Sequence, residues 1–286
     1  MGRPSRKDKV ALPDYAEGIQ IKTQDADPRF NNALARGLAV LRAFHVDATL
    51  LGNLELAQIT GLPKPTVSRL SFTLTQLGYL RYHERYGKYE LAAGVAGLAY
   101  PYLASQGVPP MARPLMVALA AATKTNVGLG VHEGLSVLYL EVALGQAHPN
   151  RLQRAGFRVP LVRTAMGRAC IAGMDPQMRE RLYRDLHAYY RRDWAQLHAE
   201  IEDAVAQVRA RGFCIAAGTF RLATHSVAVP FVHGDGHTVM AINSQGEAQA
   251  LTPAVMVRNG KKLLALTQQL HGLLAQAPAT PSLGRR

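Results

Sequence analysis

The chain has 286 residues, 48% hydrophobic and 19% charged, which excludes a disordered or fibrous polypeptide and leaves room for two domains with separate cores. Its 33 Lys and Arg against 20 Asp and Glu give a formal net charge of +13, favouring a polyanionic partner, nucleic acid first. Two cysteines, Cys170 and Cys214, lack Cys-x-x-Cys spacing, the opening MGRPSRKDKV lacks the apolar stretch of a signal peptide, and no apolar run approaches the roughly 20 residues of a membrane span. The expectation is a soluble cytoplasmic protein without metal, cofactor or membrane contact.

Residues 1–29 mix Pro, Asp and Lys without apolar periodicity and read as a flexible basic arm. Gly2-Arg3-Pro4 with Arg6 and Lys7 has the composition of a minor-groove arm, although a solvated tail is the preferred reading. From Asn31, a possible cap, Leu34, Leu38, Leu41 and Phe44 recur at helical steps and predict a first amphipathic helix. A short helix around Leu54, Ala57 and Gln58 ends at Gly61, which permits a tight left-handed turn. The next helix opens at Leu62-Pro63-Lys64-Pro65-Thr66, because proline in the first turn forfeits no hydrogen bond.

Val67, Leu70, Leu74 and Leu77 are expected on the buried face of that helix, with Lys64, Thr66, Ser68, Arg69 and Thr73 left to face DNA. Two short helices around a glycine turn, the second presenting small polar residues and one Arg, suit a major groove. Phe72 is an oddity on this side. It either meets a thymine methyl or packs on the first helix or the wing, and packing is preferred. Residues 79–82 and 88–91 alternate around His83-Glu84-Arg85-Tyr86-Gly87 as a hairpin, the wing, whose Arg85 and Lys88 are assigned to phosphate or minor groove. Residues 30–91 therefore form a predicted winged helix-turn-helix domain.

Residues 92–108 read as a linker helix, with Pro109-Pro110 marking the boundary after it. Over 109–275 a helix (111–122) precedes two strands (126–132 and 135–142), an extended run (152–161), a short helix after Thr164, and helices at 176–187 and 194–211. Strands at 213–217, 226–232 and 239–243 and a last helix at 253–274 complete an α+β domain on an antiparallel sheet, with 276–286 as a flexible tail. Residues 151–190 hold eight Lys and Arg against three Asp and Glu, a second basic region that includes Arg151, Arg154, Arg158, Arg163 and Arg168.

These segments resemble the isocitrate lyase regulator (IclR) family of bacterial transcription factors. The likeness rests on Ala35-Arg36-Gly37-Leu38-Ala39-Val40-Leu41, on residues 62–70 and on Leu77-Gly78-Tyr79-Leu80 in the first half. In the second half it rests on Thr164-Ala165-Met166-Gly167-Arg168-Ala169, residues 208–213 and Ser226-Val227-Ala228-Val229-Pro230, all in order over about residues 30–275. The resemblance implies a C-terminal effector-binding domain of GAF/profilin-like type, a homodimer or dimer of dimers, and a palindromic double-stranded operator. It places the effector between the Thr164 helix start and the last strands, which nominates Thr164, Ala165, Gly167, Arg168, Ser226, Ala241 and Asn243. Asn243-Ser244-Gln245 and the 35–41 opening are similar to the branch that regulates aromatic-acid (β-ketoadipate) catabolism.

The chain departs from the family pattern where acids are usual, carrying Ala216, Ala217, Gly218, Thr219 and Arg221 instead. A pocket short of acids and near arginines favours an anionic effector such as a carboxylate. The rival class is an enzyme, but Gly-x-Ser-x-Gly, Walker and His-Glu-x-x-His motifs are missing, and the neighbours His225 and Ser226 point to opposite faces of a strand. The reading is a regulator without catalysis. The remaining alternative keeps DNA binding and lets the large domain only oligomerise.

Overall fold

The computed structural model describes residues 28–45, 48–105, 107–145, 154–232 and 238–276. The predicted arm and tail therefore lie almost wholly outside the described residues, as does Arg151. The chain divides into one compact unit through Leu98 and another from Ala99 onward.

In the first unit α1 (Asn32–Arg42), α2 (Asn53–Thr60) and α3 (Lys64–Gln76) precede the hairpin β1 (Leu80–His83) and β2 (Lys88–Leu91). Asn31 caps α1 by accepting the Leu34 N–H. Gly61, at φ 71°, ends α2, and prolines 63 and 65 flank the start of α3. The core comprises Val40, Ala43, Phe44, Leu51, Leu56, Ile59, Val67, Leu74 and Leu80. Three expectations change. Leu34 and Leu38 are exposed, so the buried stripe of α1 runs through Ala39, Val40 and Ala43 instead. Leu77 is exposed because α3 stops one residue earlier and Leu77 caps it, while Leu70 is only half-buried. Ser71 replaces them inside, fully buried.

α4 (Ala93–Ser105) follows, and α5 (Val108–Thr123) starts one residue before Pro109-Pro110. The pair marks a helix start rather than a break, since the first turn asks for no N–H. The strands β3 (Asn126–Glu133), β4 (Ser136–Ala143), β5 (Arg158–Pro160), β6 (Cys214–Ala217), β7 (Thr224–Val232) and β8 (Val239–Glu247) form a sheet in the order β5-β4-β3-β8-β7-β6, with every neighbour antiparallel. Between β5 and β6 lie α6 (Ala165–Gly173), α7 (Pro176–Tyr190) and α8 (Trp194–Arg211), and α9 (Pro253–Gln276) closes the chain.

Alternation divides the sheet's two faces. Met240 and Ile242 of β8, with Val227, Val229 and Phe231 of β7, join the core under α5 and α9. Val239 and Ala241 join the opposite core with α6, α7 and α8. The Val208–Phe213 motif is a helix stop: Gly212 takes φ 82° at the end of α8, and Arg211 bonds the Phe213 carbonyl at 3.3 Å and lies over its ring. Both strands of the β7–β8 hairpin outrun their predicted ends, which brings Thr224 and Gln245 into the sheet. No described helix is long and apolar enough to cross a membrane.

Candidate DNA-reading face and ligand cavity

α3 leaves Lys64, Ser68, Arg69, Phe72, Thr73 and Gln76 exposed, with Thr66 half-buried at the edge of the same face. Thr73 Oγ1 donates back to the Arg69 carbonyl at 3.0 Å, an arrangement a base or phosphate has to displace or share. Phe72 is 63% exposed, so neither α1 nor the wing covers most of its ring. In the hairpin Arg85 stands exposed with its guanidinium 5.6 Å from the Tyr86 ring centre. Lys88 is engaged elsewhere: its Nζ lies 2.8 Å from the Glu55 carboxylate, which also accepts the Gly52 N–H and so caps α2. Those contacts hold the Glu55 carboxyl below its ordinary pKa, Lys88 contributing most. Lys88, expected on phosphate, thus also ties the wing to α2.

In the second unit a cleft of about 510 Å³, its open mouth included, lies between the α6 start, β5 and the ends of β6, β7 and β8. Period two along the strands sets its floor, because Ser226 of β7 stands opposite Gln245 of β8, with Asn243 two residues along on the same face. Asn243 Nδ2 lies 3.2–3.3 Å from Ser226 Oγ, Tyr139 Oη and Gln245 Oε1, its two protons shared among the three acceptors. Asn243 is 2% exposed, and its Oδ1 has no hydrogen-bond partner among the described residues.

Tyr139 reaches this floor because Gly128 has no side chain. A Cβ there would sit 2.3 Å from the Tyr139 ring and 2.9 Å from Asn243 Oδ1. Burial pushes the Tyr139 phenol far above its ordinary pKa, so it remains a neutral donor. Phe157 and Phe220 add aromatic walls, and Arg163 and Arg221 add the charge. Among the described residues no Asp or Glu lines the cleft.

Of the residues nominated from the sequence, Thr164, Ala165, Ser226 and Asn243 line the cleft, whereas Gly167, Arg168 and Ala241 do not. Thr164 caps α6, accepting the Gly167 N–H at 3.1 Å and donating to the Pro160 carbonyl at 2.9 Å. Gly167 is a packing residue, since a Cβ there would lie 1.9 Å from the Leu161 carbonyl oxygen. Arg168 is buried and bonds the Val162 carbonyl at 2.8 Å and the Glu200 carboxylate. Ala241 belongs to the core beneath α6. Arg158, in the same sequence cluster, is paired with Glu133 at 2.9 Å.

Sequence reasoning missed Tyr139, Phe157, Phe220 and Gln245. Period two from Asn243 would have found Gln245, but the three rings come from segments that no local pattern connects. His225 bonds the Leu251 carbonyl at 3.0 Å. Cys170 and Cys214 are both fully buried, and burial raises the Cys214 thiol to about 12. Among the described residues no cluster of His, Cys, Asp or Glu could hold a metal.

A winged helix-turn-helix followed by a sheet domain with a lined cleft defines a DNA-binding transcriptional regulator. Residues 33–84 match the IclR helix-turn-helix domain, and residues 100–271 match the bacterial transcriptional regulator IclR C-terminal domain. The chain belongs to the IclR family. It is 33% identical to the Pca regulon regulatory protein of Pseudomonas putida, over 82% of this chain and 79% of that protein. The crystal structure of an IclR-family transcriptional regulator from Brucella abortus superposes with a TM-score of 0.78 at 32% identity, covering 93% of this chain and all of that one. An IclR homologue from Microbacterium hydrocarbonoxydans, solved in complex with 4-hydroxybenzoate, shares the fold at a TM-score of 0.65 and 21% identity, covering 86% of this chain and all of that one.

Proposed function

We propose that this regulator senses a small aromatic carboxylate in the cleft above β7 and β8, and that occupancy changes its affinity for a palindromic operator bound by a homodimer or a dimer of dimers in the cytoplasm. The observation that carries the reading is the lining: three aromatic rings, two arginines and a polar floor, with no acid among the described residues. Arg163 and Arg221 offer forked donors to a carboxylate, and the N-terminus of α6 adds the positive end of its dipole. The rings match an aromatic body, and Asn243 Oδ1 gives a buried acceptor to a ligand hydroxyl. The Pca regulon relative and the 4-hydroxybenzoate complex support the same chemistry. Operator contact falls to Lys64, Thr66, Ser68, Arg69 and Thr73 of α3 and to Arg85 of the wing. The apolar Leu34 and Leu38, exposed on α1, support self-association.

The test is a thermal-shift screen of aromatic acids, 4-hydroxybenzoate first. A ligand at a hundred times its Kd adds about 2.7 kcal/mol, or roughly 5–10 °C for a domain of this size. Arg163→Ala and Arg221→Ala should each lose most of the shift, and bound acid should move the midpoint of binding to a selected DNA duplex. If no acid shifts the melting, sensing fails and the large domain is left with oligomerisation.

A further inference from the structure

We infer that Phe72 reads DNA directly, its ring seated against thymine 5-methyl groups in the major groove, so that the operator carries thymine at the base pairs it faces. The winged-helix core closes without this side chain, and 63% of its surface is open to water. At about 100° per residue, Phe72 falls in the middle of the exposed arc of α3. Lys64 and Ser68 lie to one side of it, and Arg69, Thr73 and Gln76 to the other. Pro65, exposed two turns earlier on that face, also lacks a side-chain donor or acceptor; the other residues around Phe72 there can donate or accept, and Phe72 is the one large apolar side chain among them. Among the described residues no ring or cation stacks on it.

The edges of base pairs in the major groove offer donors, acceptors and a single apolar group, the thymine methyl. A phenyl ring at the centre of a groove-reading face therefore has one favourable partner there. Facing cytosine, guanine or adenine, it would cover polar edge atoms without satisfying them. The proposal rests on α3 entering the groove, and Arg69 provides the independent check of that placement.

The probe is a duplex selected by the wild-type protein from a randomised pool, then resynthesised with uracil replacing thymine one position at a time. Uracil pairs as thymine does and differs by the methyl alone. At one or two positions uracil should weaken wild-type binding by about three- to fourfold, the effect of one buried methyl group. Replacing cytosine by 5-methylcytosine elsewhere in the duplex should leave binding unchanged.

Phe72→Ala should bind thymine and uracil duplexes equally and melt like the wild type, and Phe72→Leu should keep part of the discrimination. Arg69→Ala should weaken both duplexes alike. Uracil tolerated at every position, or discrimination persisting in Phe72→Ala, overturns the assignment of Phe72. Loss of discrimination in Phe72→Ala together with an unaffected Arg69→Ala would keep it. If neither substitution changes binding, the placement of α3 itself is wrong.

Discussion

Replacing Glu200 by Ala tests whether Arg168 belongs to the scaffold. The Arg168 side chain is 6% exposed and its partner Glu200 33% exposed. The guanidinium is held by the Val162 carbonyl from one direction and by the Glu200 carboxylate from another. Without the carboxylate, a buried cation keeps one neutral acceptor. Breaking a fully buried pair costs about 3–5 kcal/mol, and the partial exposure of Glu200 lets water replace some of the loss, so about 2–3 kcal/mol is expected. For a domain of 150–250 residues that lowers Tm by roughly 4–12 °C. Trp194, the only tryptophan, begins the helix that carries Glu200 and reports unfolding in urea by its fluorescence. Arg168→Met should cost less, because it removes the charge along with its need for a partner. The Arg168→Met/Glu200→Ala variant should then recover most of the Glu200→Ala loss. A Glu200→Ala protein within about 0.5 kcal/mol of wild type, or a double variant that loses the sum of the singles, refutes the reasoning.

Gly167→Ala should be far more damaging, since its Cβ would lie 1.9 Å from a backbone oxygen and the β5–α6 corner has to move; a loss above ~3 kcal/mol is expected in melting, with poor soluble yield. Ser71→Ala should stabilise the winged-helix unit by about 1 kcal/mol, because its buried hydroxyl has no hydrogen-bond partner among the described residues, and calorimetry would record an unchanged or lower Tm if this is wrong. Glu55 has a depressed pKa in the fold, so its contribution is fully present above its ordinary pKa of 4.5 and is lost as the pH falls through the lower folded value. Acid unfolding followed by circular dichroism should therefore be less steep below pH 4.5 in Glu55→Gln.

Order and type of element were legible because local rules and tertiary demands agree. Gly61 and Pro65 announced the turn and the start of α3, and alternation announced β7 and β8. Failure came where burial depends on a neighbour that periodicity cannot see. Leu34 and Leu38 repeat at helical spacing yet stay outside, while Ser71 goes in. On the cleft, Ser226 and Asn243 were nominated by the family resemblance alone, but Tyr139 depends on the missing side chain of Gly128 one strand away. Nothing in the local sequence of Tyr139 encodes that gap.

The arginines show why net charge misleads about sites. Five of them fall between residues 151 and 168 and look like one basic region, yet Arg158 and Arg168 are matched to carboxylates within the domain. The cleft takes its charge from Arg163, beside the cap of α6, and from Arg221, in the turn between β6 and β7. Thr164 cannot share that task through its hydroxyl, which already accepts one hydrogen bond and donates its only proton to Pro160. The anion preference proposed for the cleft therefore rests on two side chains on separate segments. One borders a second cleft formed with Asp193, Gln196 and Glu200, and the other lies over the Phe220 ring at 5.4 Å. Thr219 already donates from the β6–β7 turn to the Arg163 carbonyl at 2.7 Å, so a carboxylate held by both arginines would add a second link between that turn and the β5–α6 corner and stiffen a junction the fold already makes.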